Sequence, residues 1–243
     1  MPGYLLEHSF IQALTLATLA GLTIPLGGAA AAVERIRPRW LEQEFRHSVI
    51  AFGGGALLAA VALVLVPEGS AELDTGPALL FFLTGGTVFL AADRWVTESA
   101  GAMGQLLAML LDFAPEAMAL GASLTLQSET AILLAGLIAL QNFPEGFNAF
   151  REVRAGKGAL VSRVLLFFVL LTLVGPVCAA LGYEFLAQSP EPLGAIMLFA
   201  AGGILYLVFQ DIAPQAKLER YWAPPLGAVG GFALGLAGHL VIS

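Results

Sequence analysis

Two short segments of the chain repeat one arrangement of oxygen-bearing side chains around a proline. The first is DFAPEA at 112–117 and the second is QNFPEG at 141–146. In each segment an oxygen-bearing side chain precedes a glutamate by four residues, which places both on one face of a helix, one turn apart. The side chains concerned are Asp112, Glu116, Gln141, Asn142 and Glu145. Carboxylate and amide oxygens suit divalent cations such as Mn²⁺, Fe²⁺, Mg²⁺ and Ca²⁺, and Zn²⁺ also accepts carboxylate oxygen. The pattern therefore predicts a metal site.

The composition predicts that these segments lie inside a membrane. Of the 243 residues, 58% are hydrophobic and 12% are charged, and the mean hydropathy is +0.84. A soluble domain could not cover so much apolar surface with so few polar side chains. The apolar runs are too long for the strands of a transmembrane barrel. We therefore expect an all-α, polytopic membrane protein.

Hydropathy predicts eight transmembrane helices in a single domain that spans residues 1–243. The predicted spans are 9–33, 47–67, 77–93, 103–126, 129–150, 164–186, 192–214 and 223–242. All 11 Lys and Arg residues fall in the loops after the odd-numbered helices, which the positive-inside rule assigns to the cytoplasm. Both termini are then expected outside. The compact loops favour a bacterial inner (plasma) membrane, in which the lipid bilayer surrounds the chain.

The acids of the two segments are costly at membrane depth. A charge at a helix centre costs about 2.5–3.5 kcal/mol on insertion scales, and no predicted span contains a Lys or Arg. Asp112, Glu116 and Glu145 must then be protonated, solvated in a cavity or paired with a bound cation. A protonated acid that only links two helices by a hydrogen bond is the alternative. Each proline also frees a carbonyl, at Leu111 and Leu140, which a cavity or an ion can use.

The chain resembles the ZIP (Zrt/Irt-like protein) family of metal transporters. QNFPEG at 141–146 is close to the family motif of the fifth helix, and DFAPEA at 112–117 is similar to its partner on the fourth. The segments 17–28, 53–69 and 201–216 are similar to family helices 1, 2 and 7. The resemblance implies a ZIP-like bundle of eight helices, with the metal site on the helices at about 103–126 and 129–150.

The resemblance also implies roles for individual residues. Asp112, Glu116, Gln141 and Glu145 match the primary metal site, and Asn142 matches a neighbouring ligand. The family usually has His and Asn where Asp112 and Phe113 stand, and Glu where Gly175 stands. These departures argue against a second adjacent metal and for a harder or less selective site. Near the inner end of the seventh predicted helix, Gln210 and Asp211 are a candidate exit site.

The predicted function is secondary transport of divalent transition-metal cations toward the cytoplasm. Zn²⁺ is the family substrate, and Mn²⁺, Fe²⁺ and Cd²⁺ are further candidates. Two alternatives stay open: a metal-binding homologue that does not transport, as a sensor or a relic, and a proton-coupled carrier of an organic cation. We expect no enzyme activity, because the sequence shows no acid–base–nucleophile set, and no cofactor other than the transported ion. We expect no nucleic-acid partner, since the net charge is −7. A homodimer is left open.

Overall fold

The computed structural model is built from helices throughout the residues that it describes. These residues are 2–34, 39–99, 104–126, 128–157, 160–186, 189–216 and 223–242. The α-helices are α1 (Pro2–Val33), α2 (Arg39–Ala60), α3 (Val66–Ala71), α4 (Thr75–Ser99), α5 (Gly104–Leu126), α6 (Ser128–Lys157), α7 (Val161–Leu171), α8 (Val174–Leu186), α9 (Pro190–Leu207), α10 (Ala213–Ala216) and α11 (Pro224–Ile242). Two π-helical turns, Val61–Leu65 and Val208–Ile212, join α2 to α3 and α9 to α10. The prediction of an all-α protein is confirmed for this part of the chain.

Seven helical segments among the described residues are long and apolar enough to cross a membrane, as expected of an integral membrane protein. They are His8–Val33, Gln43–Ala71, Thr75–Trp95, Glu129–Arg154, Val161–Leu186, Pro190–Ala216 and Pro224–Val241. The remaining predicted span, the fourth at 103–126, corresponds to α5, a helix of 23 residues that packs against α1, α4, α6, α8 and α9. Eight spans and external termini stay predictions.

Helix α6, which carries the second segment, packs closely against α1, with few side-chain atoms between the two backbones. A Cβ atom added at Gly146 would overlap the carbonyl oxygen of Ile24, and one added at Gly27 would overlap the carbonyl oxygen of Phe143. Only glycine permits such close approach of two backbones. In the same way, Gly121 of α5 contacts the carbonyl oxygen of Ala179 in α8, and Gly182 of α8 contacts the carbonyl oxygen of Met118 in α5. Thus α6 packs backbone to backbone against α1, and α5 packs in the same way against α8.

Prolines explain the interruptions in three of the long helical runs. The ring of a helical proline clashes with the carbonyl four residues earlier and supplies no N–H for it. At the break between α7 and α8, Pro176 frees the carbonyl of Thr172, which accepts from the Gly175 N–H instead. Each π-helical turn ends two residues before a proline, at Pro67 and Pro214. A π turn inserts one extra residue, which changes the direction of the side chains in it.

We call the end of the bundle at which α1 ends, α2 begins and α6 ends the basic end. There Arg151 of α6 forms an ion pair with Glu34, just after α1. The Arg151 guanidinium also lies 5.9 Å from the ring centroid of Phe147. Arg46 of α2 interacts electrostatically with Glu152 of α6. The carboxyl-terminal part of α6 is thus fixed to α1 and α2.

Candidate functional site

The two proline-containing segments meet inside the bundle. The Gln141 amide nitrogen of α6 donates a 2.5 Å hydrogen bond to Glu116 Oε2 of α5. Glu116 and Gln141 are completely buried, and Asp112 is 3% exposed. The end of α5 and the start of α6 lie only two positions apart in the chain, so the two helices run antiparallel and bring their polar faces together. Glu116 and Gln141 are therefore in contact, and the ligand roles of the five residues stay predictions.

Each of the five predicted metal-site residues has a buried oxygen without a hydrogen-bond partner. The atoms are Asp112 Oδ1, Glu116 Oε1, Gln141 Oε1, Asn142 Oδ1 and Glu145 Oε2. Leaving one such oxygen unpaired in a protein interior costs about 1–3 kcal/mol, and more when it is charged. Native structures contain few of these groups, and each calls for an explanation. The presence of five such oxygens on two helices indicates that a ligand able to bind oxygen atoms belongs at this site.

Asn142 is oriented by the close contact between α6 and α1. Its amide nitrogen donates a 3.3 Å hydrogen bond to the carbonyl oxygen of Ala20. Ala20 lies one turn before Ile24, whose carbonyl touches Gly146. With the nitrogen turned toward α1, the Asn142 oxygen is the end of the amide that stays unpaired. The glycine contact therefore also determines which atom of Asn142 is available to a ligand.

A small cavity of about 50 Å³ adjoins the site. Asp112 and Glu145 line it together with Asp211, which follows α9 in the second π turn. The other lining residues are apolar or carry a thioether: Leu57, Met109, Ala149, Leu207 and Ile212. By the usual measure for buried water, this volume holds only a few water molecules. It is thus a compartment for a small ligand.

The carboxylates are neighbours, but they do not form a closed cage. Asp112 and Glu145 both act electrostatically on Glu116. Among the described residues, however, no group of three or more Asp, Glu, His and Cys side chains is arranged to hold a metal ion. Binding of a cation therefore requires that the unpaired carboxylate and amide oxygens turn toward a common point.

A phenylalanine occupies the position next to these ligands on α5. Phe113 is 1% exposed, and its ring packs against two glycines. A Cβ atom at Gly175 would lie 2.6 Å from Phe113 Cζ, and one at Gly21 would lie 3.1 Å from the same atom. An apolar ring thus fills the space between α1, α5 and α8. The ring therefore offers no ligand atom at this position.

The structure separates the two residues of the candidate exit site. Asp211 is partly buried and lines the cavity, whereas Gln210 is exposed. Both lie in the π turn Val208–Ile212, which determines the direction in which each side chain points. Of the pair, only Asp211 is brought to the site.

Three residues toward the basic end were not singled out from the sequence. Asn148 and Glu152 of α6 and Gln215 of α10 are joined by hydrogen bonds from the Asn148 amide nitrogen. The spacing of Glu145, Asn148 and Glu152 by three and four residues was a usable signal, because it continues the same face of α6. No feature of the sequence around Gln215 indicated that it lies beside this face of α6.

No family model matches the chain, and no curated protein is significantly similar to it. The resemblance to ZIP transporters therefore depends on the motifs themselves.

Proposed function

We propose that the protein is a ZIP-like secondary transporter that carries a divalent transition-metal cation across the membrane through the site on α5 and α6. The ligands are Asp112, Glu116, Gln141, Asn142 and Glu145. The five buried, unpaired oxygens are the observation on which the proposal mainly depends. A divalent cation would be a suitable partner for these oxygens once they turn toward a common point, because carboxylate and amide oxygens are ligands that such cations accept.

The charge around the site supports a cation as the partner. The charges that act on Glu116 are those of Asp112 and Glu145, both acidic. Asp112 also acts on Glu145. Like charges held together in a medium of low polarity repel one another strongly. A bound divalent cation turns this repulsion into attraction.

The size of the cavity supports a metal ion over an organic cation. Pockets for organic ligands of drug size usually measure about 300–1,000 Å³. The compartment beside Asp112 and Glu145 measures about 50 Å³. A bare or partly hydrated metal ion is compatible with this volume, and an organic cation of drug size is not.

The charge distribution supports the proposed direction of transport. The basic end of the bundle faces the cytoplasm under the positive-inside rule, so a cation that moves from Glu116 toward Asp211 moves inward. The proposed membrane is a bacterial inner membrane with both termini outside. The lipid bilayer and the cation are the proposed partners.

Metal uptake into proteoliposomes tests this function. Zn²⁺, Cd²⁺, Mn²⁺, Fe²⁺ and Co²⁺ are offered to the wild-type protein, the double variant Glu116→Gln/Glu145→Gln and the control Glu44→Gln. Glu44 is an acid of α2 whose backbone carbonyl accepts from Ser48, and it lies outside both segments. We expect flux of at least one metal in the wild type and the control, and its loss in the double variant.

Two results would contradict the proposal. Equal flux in the wild type and the double variant would exclude the site. Absence of flux for every metal, in protein that is correctly folded and inserted, would exclude a carrier. If such a protein still bound the metal, the alternative of a sensor would replace transport.

A further inference from the structure

A cavity of about 890 Å³ lies at the end of the bundle opposite the basic end. Since α2 begins at the basic end, α3 ends at the opposite end, where α4 begins. The cavity lies between the first turns of α4 and of α9, and the connection from α3 to α4 borders it. Further along, the two helices touch, because a Cβ atom at Gly85 would overlap the carbonyl oxygen of Phe199. The volume is that of a site for an organic ligand.

The walls of this cavity are mainly apolar. Phe81 of α4 and Ile196 and Phe199 of α9 contribute the large apolar side chains, and leucine, proline and alanine side chains contribute most of the remainder. Sites for organic ligands typically combine such walls with a few polar groups that orient the ligand. An organic molecule would bury apolar surface here, which a hydrated metal ion does not have. The cavity therefore differs in kind from the small compartment beside Asp112.

The polar lining determines the sign of charge that the cavity favours. Within the described part of the chain it consists of three carboxylates, those of Glu72, Asp74 and Glu191. The sequence has no Lys or Arg at 47–93 or at 164–216, the stretches that supply the lining. A cleft that carries one sign of charge between apolar walls concentrates ions of the opposite sign. The cavity is therefore complementary to a cation.

Close packing of α3 against α9 positions one of these carboxylates. A Cβ atom at Gly194 would lie 2.8 Å from the carbonyl oxygen of Gly69 and 2.9 Å from the Cβ atom of Glu72. A Cβ atom at Gly69 would in turn lie 3.0 Å from the carbonyl oxygen of Gly194. The side chain of Glu72 thus starts directly against α9. Glu191 precedes Gly194 by three residues, close to one helical turn, so both acids lie near this contact.

We propose that this cavity binds an organic cation with a large apolar body, such as a hydrophobic ammonium or phosphonium ion. The apolar body occupies the space between α4 and α9, and the positive centre lies among the three carboxylates. Aromatic rings also attract positive charge, and Phe81 and Phe199 supply two of them. The described linings of this cavity and of the compartment beside Asp112 have no residue in common. The proposal is therefore independent of the proposed metal transport.

Binding of tetraphenylphosphonium to the full-length protein in lipid nanodiscs tests this site. Equilibrium dialysis measures the bound cation, and the amount bound by empty nanodiscs is subtracted. Tetraphenylborate has the same four phenyl rings and the opposite charge, so it separates attraction of the charge from burial of apolar surface. The double variant Glu72→Gln/Glu191→Gln removes two exposed carboxylates of the lining. Its control is Glu129→Gln/Glu184→Gln, which removes two exposed acids that lie at the same end but do not line the cavity.

We expect saturable binding of one tetraphenylphosphonium per chain in the wild type and in the control, and no saturable binding of tetraphenylborate. In Glu72→Gln/Glu191→Gln the affinity should fall about tenfold, because two exposed ion pairs of ordinary strength are lost. Ile196→Trp places a larger side chain in the wall and should weaken binding without a change in charge. If this variant fails to fold, the two glutamine double variants still decide the question, since all four glutamates are exposed.

Three results would overturn the proposal. The first is absence of saturable tetraphenylphosphonium binding in the wild type. The second is equal affinity in the two double variants, or equal saturable binding of tetraphenylborate, since either would show that the carboxylates do not select the charge. The third is loss of binding in Glu116→Gln with none in Glu72→Gln/Glu191→Gln, which would place the organic cation at the site on α5 and α6.

Discussion

The 2.5 Å hydrogen bond from the Gln141 amide nitrogen to Glu116 Oε2 joins the two proline-containing segments across α5 and α6. It occupies one oxygen of the glutamate and leaves the other, together with the Gln141 oxygen, unpaired. The bond thus holds both residues in place while each keeps a lone pair for a ligand. An amide that donates to a carboxylate in this way organises a cation site without neutralising it.

Replacement of Glu116 by glutamine removes the charge but keeps the size of the side chain. A hydrogen bond or ligand contact to a charged group contributes about 1.5–3 kcal/mol, so metal flux should fall about ten- to a hundredfold. Uptake by proteoliposomes measures this, with Glu44→Gln as the control. Insertion and expression should be unchanged in both variants. Flux in Glu116→Gln within twofold of the wild type would show that Glu116 is not a ligand.

Replacement of Asp112 by histidine should change metal preference. Imidazole is a softer ligand than carboxylate, so the ratio of Zn²⁺ to Mn²⁺ uptake should rise. Competition between the two metals in one uptake assay measures the ratio directly. The matched control is Asp112→Asn, which removes the charge but adds no nitrogen ligand of the imidazole type. An equal ratio in all three proteins would exclude Asp112 from the selection of the metal.

Addition of a single methyl group at Gly146 should separate α6 from α1. The new Cβ would overlap the carbonyl of Ile24, and the Asn142 bond to Ala20 would lengthen as a result. Overpacking of this kind costs about 1–3 kcal/mol. We expect a lower thermal unfolding temperature in detergent and weaker metal binding for Gly146→Ala.

Gly136 provides the matched control on the same helix. A Cβ atom there would meet nothing within 4 Å. Gly136→Ala should therefore leave the unfolding temperature equal or slightly raised, because alanine favours the helix. Equal unfolding temperatures for Gly146→Ala and Gly136→Ala would contradict the close contact between α1 and α6.

The packing of Phe113 against Gly175 predicts an energetic coupling between these positions. Gly175→Ala places its methyl group 2.6 Å from the ring and 2.8 Å from the carbonyl oxygen of Ala17. Phe113→Leu removes the first of these contacts only, so the double variant should be less destabilised than the sum of the two single variants. The expected coupling is about 0.5–3 kcal/mol in the free energy of unfolding. Additive effects would show that the ring does not fill this space.

The sequence predicted the helices and the pairing of α5 with α6 because both depend on local patterns. Apolar length places a helix, and the four-residue spacing in each segment places its polar face. The partnership of Asn148 with Gln215 was not predictable in this way, since it depends on which helix packs beside α6. The difference in exposure between Gln210 and Asp211 was not predictable for a related reason. They lie in a π turn, in which the 3.6-residue period does not apply.

The narrowness of the cavity beside Asp112 has a consequence for the choice of ion. A space of about 50 Å³ has no room for a metal ion with its complete shell of coordinated water. In a carrier of the proposed kind, the cation must give up most of that shell before it is bound. Mg²⁺ sheds its water reluctantly, whatever its preference for oxygen ligands. Dehydration would thus disfavour Mg²⁺ at a site whose ligands alone would accept it.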